Sequence, residues 1–83
     1  MDKKIIKKTL RDLFAQSLKE RFTEISISDD DDINEILHIN SIEAIEIIVL
    51  IENEFDINVD DDDLTIDFIS SLNKISDYII NKK

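Results

Sequence analysis

Apolar residues recur at helical spacing in three stretches of the chain. From Lys3 to Arg21, residues Ile6, Leu10, Leu13, Phe14 and Leu18 fall on one face, with lysines, arginines and Gln16 on the other, which predicts a first amphipathic helix. The stretch from Leu37 to Phe55 is richer. Ala44, Ile47, Ile48, Ile51 and Phe55 follow the i, i+3, i+4, i+7 pattern of a buried stripe. Ile42, Ile45 and Val49 form a second apolar row roughly a third of a turn away, flanked by Glu46 and Asn53 on one side and Glu52 on the other. The stripe predicts core; the second row fits either a helix packed centrally among others or a face kept for a partner. A last helix follows Ser70 or Ser71 as its N-cap, turns Leu72, Ile75, Tyr78 and Ile79 inward, and places Lys82 and Lys83 at its C-terminus.

The connections carry their own pattern. Phe22 to Ile39 is too long for an unstructured link in a small domain. Ile25 and Ile27 alternate with polar residues as extended anchors would, and Asp32 to Leu37 has the composition of a single helical turn. After the second helix ends near Asn53 to Asn58, Ile57 and Val59 read as further anchors, and Asp62 to Ile69 as a short third helix with Leu64 and Phe68 inward. The chain has no glycine and no proline, so Asn, Asp and Ser must make its turns. The expected architecture is all-α: a four-helix bundle with a long first loop and a short third helix, one domain over residues 1–83.

Charge narrows the partners. Residues 1–24 hold seven basic side chains against four acidic ones, whereas no lysine or arginine occurs from Ile25 to Asn73, and the whole chain carries a formal −10. Such a surface repels nucleic-acid phosphates and anionic lipid and attracts basic protein patches. With no cysteine, any thiol the protein uses must be added to it. No run is long enough to span a membrane, the lysine-rich start lacks the apolar segment of a signal peptide, and a cytoplasmic monomer is the expectation. The runs Asp29 to Asp32 and Asp60 to Asp63 lack the spacing and the turn glycine of a calcium loop, and read as solvated loop and helix-start residues.

Candidate chemistry gathers at the start of the second helix. Asn40 is a good N-cap and Glu43 stands three residues on, a capping-box spacing that puts Ser41 at the first helical position with its hydroxyl toward solvent. His38, the single histidine, has no evident nucleophile or metal partner, and no triad or phosphate loop exists, so the chain is not expected to be an enzyme.

Leu37-His38-Ile39-Asn40-Ser41-Ile42, followed by Glu43, Ile45, Glu46 and Ile47 and then by Ile51-Glu52-Asn53-Glu54-Phe55-Asp56, resembles the prosthetic-group attachment region of acyl carrier proteins. A closing Asp77-Tyr78-Ile79 extends the likeness over nearly the whole chain. Where the family usually has glycine, aspartate and leucine, this chain has His38, Asn40 and Ile42. The resemblance implies a phosphoprotein in which Ser41 carries 4′-phosphopantetheine through a phosphodiester, with acyl or aminoacyl groups held as thioesters on its terminal thiol. It also implies a phosphopantetheinyl transferase and acyl-transferring or acyl-processing enzymes with basic docking patches as partners, and a place in lipid metabolism such as fatty acid biosynthesis. Asn40, Ile42, Glu43, Ile45, Glu46, Val49 and Glu52 would form the partner-binding surface. Because Asn40 lacks the carboxylate by which the family's transferase grips its carrier, modification should be slower than in a chain with aspartate there. The alternative is an unmodified acidic helical module that binds a protein through the same face.

Overall fold

The computed structural model describes residues 2–82, and among them there are helices and turns but no strand. The five α-helical segments are α1 (Lys3–Leu18), α2 (Glu20–Thr23), α3 (Ile33–Leu37), α4 (Ser41–Phe55) and α5 (Leu72–Lys82), with two 3-10 turns, Asp61–Asp63 and Ile66–Phe68, between the last two. The architecture is thus all-α, with α1, α4 and α5 long and the rest single turns.

The predicted stripes are the core. Ile6, Leu10, Leu13, Phe14 and Leu18 of α1, the whole Ala44, Ile47, Ile48, Ile51, Phe55 set of α4, and Leu72, Ile75 and Ile79 of α5 are buried in one cluster, joined by Ile27, Ile33, Leu37, Ile39, Ile57 and Val59 from the connections. Burying such side chains contributes about 1.5–3 kcal/mol each before the entropy of ordering is set against it. Tyr78 is half-buried, its ring edge-on to Phe68 at 5.0 Å and its hydroxyl donating to Asp63 at 3.2 Å.

Three expectations are corrected. The first helix does not run unbroken to Arg21: Lys19 adopts φ 53°, which ends α1 and starts the separate turn α2. The break turns Phe22 back to stack on Phe14, ring centroids 5.6 Å apart, so burial of an aromatic pair outweighs helix continuation. Ile25 is no anchor; it is 43% exposed while Ile27 is buried. The short third helix is instead the two 3-10 turns, with Leu64 and Phe68 only half-buried. The aspartate runs lie in loops and at helix starts as expected, with Asp61 and Asp62 exposed, but several of their carboxylates also take specific partners.

Asp29 bonds Lys7 and Arg11 of α1, each at 2.8 Å, and its carbonyl accepts from the N–H of Asn73 on α5. The Lys7 ammonium first, then the Arg11 guanidinium, holds the Asp29 carboxyl below its ordinary range. Asp30 bonds the Asn73 side chain, Asp31 accepts from the N–H of Ser28, and Asp32 caps α3. In the second run, Asp60 pairs with Lys82 at 3.0 Å, which raises the Lys82 pKa. No group of three or more metal-ligating side chains is assembled among the described residues. At α5 it is Ser71 that caps, accepting from the N–H of Lys74; Lys82 lies in the last turn as expected, and Lys83 falls outside the described residues.

Candidate functional site

The local sequence explains how the start of α4 is held. Asn40 has extended backbone angles and its side chain accepts from the Glu43 N–H at 2.8 Å, while the Glu43 carboxylate accepts from the Asn40 N–H at 3.3 Å, a complete capping box. Just before it, His38 sits at φ 51°, ψ 53°, the left-handed conformation that glycine adopts without steric cost. That geometry gives a physical reason for the glycine usual at this place in acyl carrier proteins, and His38 takes the conformation without one.

Arg21 braces the same joint from α2. One guanidinium nitrogen donates to the Leu37 carbonyl at 2.8 Å and the other pairs with Glu43. The Arg21 contact, aided by the Asn40 N–H and opposed by partial burial, holds the Glu43 carboxyl below its ordinary range. Sequence reasoning missed Arg21, since no local pattern links it to residues sixteen and twenty-two positions away.

Ser41 occupies the first position of α4 and is exposed. The box satisfies the Glu43 N–H, and the Ala44 N–H bonds the Asn40 carbonyl, but the N–H groups of Ser41 and Ile42 have no hydrogen-bond partner among the described residues. Two free donors at the positive end of a fifteen-residue helix suit an anion on the Ser41 oxygen. The residues present therefore fit a phosphodiester on Ser41.

The second row of α4 points outward: Ile42 is 69% exposed, Ile45 47% and Val49 44%. Three isoleucine-class side chains on one exposed face are more than the core requires. The acidic residues around them differ in their commitments. Glu46 is exposed and makes no ion pair among the described residues, whereas Glu43 is tied to Arg21 and Asn40, and Glu52 accepts from the Val59 N–H at 2.8 Å. Asn40 is exposed but its side-chain oxygen is spent on the cap.

A comparison with known families agrees with this geometry: the family described as the phosphopantetheine attachment site matches residues 8–79. The chain belongs to that family, whose members carry 4′-phosphopantetheine covalently on a serine, and it is a phosphopantetheine carrier protein of the kind that acyl carrier proteins represent. No curated protein matches the chain. Carrier domains of this type work with partner enzymes and are generally not enzymes themselves. No helix among the described residues is long and apolar enough to cross a membrane.

Proposed function

We propose that residues 1–83 act as one carrier domain in which Ser41 bears the 4′-phosphopantetheine arm and acyl or aminoacyl intermediates travel on the arm's thiol as thioesters. The observation that carries this reading is the exposed Ser41 hydroxyl beside two uncommitted N–H donors at the start of α4. Once attached, the arm supplies the thiol that a cysteine-free chain lacks.

Partner enzymes dock, in this reading, on the row Ile42, Ile45 and Val49. Apolar contact at the centre gives short-range fit, and carboxylates at the rim steer a basic partner during encounter. Glu46 is the rim charge that is free to do so. Glu43 and Glu52 add to the field but are held by Arg21 and by the Val59 N–H, so their first role is to fix α4 in place.

Intact mass after co-expression with a broad-specificity phosphopantetheinyl transferase tests the assignment. The wild-type chain should gain one pantetheine-arm increment and Ser41→Ala should fold and gain none. An increment retained by Ser41→Ala would move the attachment elsewhere. A folded wild-type chain that gains nothing with any transferase would instead favour an unmodified module using the same apolar row.

A further inference from the structure

We propose that a cleft beside the attachment helix, formed by α2, the segment after it and α3, is the resting seat of the prosthetic arm when no enzyme holds it. This rests on Ser41 being the attachment point. The cleft has a volume of about 330 Å3 and is lined by Arg21, Glu24, Ile25, Ile36, Leu37 and His38. That is the lower end of the range in which proteins enclose small ligands.

Its walls hold apolar surface that the core does not use. Ile25 is 43% exposed and Ile36 37%, although neighbours on both sides in sequence, Ile27, Ile33 and Leu37, are buried. Exposing two isoleucines toward a shared concavity is unfavourable by the apolar area left in water, and an apolar group seated between them would recover it. The polar lining is also specific: the Arg21 guanidinium, the Glu24 carboxylate and the His38 imidazole border the same cleft.

The arm matches this mixture. It begins with a phosphodiester anion, continues through a branched hydrocarbon unit and then through two amides to the thiol. The branched unit suits Ile25 and Ile36, the amides suit Glu24 and His38 as acceptor and ring nitrogen, and Arg21 has N–H groups beyond those used for Leu37 and Glu43 to face the anion.

Continuity of the chain puts the seat within reach. His38 lines the cleft and stands three residues before Ser41, a span of no more than about 11 Å even fully extended, shorter than the arm itself. Arg21 links the two places directly, since it both lines the cleft and pairs with Glu43 in the first turn of α4.

The test compares backbone amide and isoleucine methyl chemical shifts of the protein before and after co-expressed loading, with loading verified by intact mass. Loading should shift Ile25 and Ile36 methyls and the Arg21 and His38 amides, independently of protein concentration. Ile25→Ser, a change at an exposed site, should still load fully yet lose the response at Ile36. Full loading with shift changes confined to residues 40–43 would overturn the seat while leaving the attachment intact. Shift changes that grow with protein concentration would assign the cleft to a second copy of the chain and also overturn it. Failure to load at all would overturn the Ser41 assignment and the seat with it.

Discussion

The two faces of α4 are built from nearly the same side chains and meet opposite fates. On one face Ala44, Ile47, Ile48, Ile51 and Phe55 are buried in the core cluster; on the other Ile42, Ile45 and Val49 stand in solvent. Hydrophobicity alone cannot distinguish Ile48 from Ile45. What separates them is angular position on the helix, and the exposed row keeps apolar area that folding leaves unused. A difference of that kind is expected where one surface serves stability and its neighbour serves association.

Substitutions on the two faces should therefore separate folding from docking. The largest effect is expected from Ile48→Ala, which leaves a void in a thin core and should cost about 2–5 kcal/mol of unfolding free energy, read by urea denaturation. Val49→Ala should leave stability nearly unchanged, because the better helix propensity of alanine offsets the little burial lost. Its effect should fall on complex lifetime, with dissociation from a cognate enzyme roughly five-fold faster by surface plasmon resonance. A stability loss as large as that of Ile48→Ala would erase the contrast between the faces.

Reversing the rim charge is a smaller perturbation. Glu46→Lys should slow association with a basic partner roughly three-fold at low salt, the difference shrinking as salt rises, with dissociation little changed. Equal association rates at low salt would place docking elsewhere. Asn40→Asp should be the quietest change for folding, within about 0.5 kcal/mol, since both residues cap helices well. It should nonetheless quicken loading by a transferase, measured as the rate of mass increment, and equal rates would show that the missing carboxylate is no handicap.

Much of this was legible in the sequence because helical periodicity is a one-dimensional signal. The stripes of α1, α4 and α5, the Asn40–Glu43 box, the Asp32 to Leu37 turn and the outward placement of Ser41 all follow from spacing within a few residues. The features that escaped depend on residues far apart. Nothing local says that Lys19 will take a positive φ and break the helix; the reason is the Phe14 to Phe22 stack that the break allows. Ile25 alternates with polar residues just as Ile27 does, and only the packed structure separates a buried anchor from a cleft wall. The ion pairs of Asp29 with Lys7 and Arg11, and of Arg21 with Glu43, likewise required the tertiary fold to bring the halves of opposite charge together.

The left-handed residue at His38 bears on how accurately Ser41 is aimed. Glycine would adopt that conformation more easily, but it would also give the unfolded chain more backbone freedom to lose and the folded joint more ways to bend. A residue with a Cβ has fewer alternatives: it accepts some local strain and narrows the range of directions in which the following segment can leave α3. With Arg21 gripping the Leu37 carbonyl on one side of this joint and Glu43 on the other, the hinge before Ser41, the proposed attachment serine, is stiffened at its pivot and across its span. Swinging motion would then belong to the flexible arm, and the protein beneath it would behave as a fixed mount.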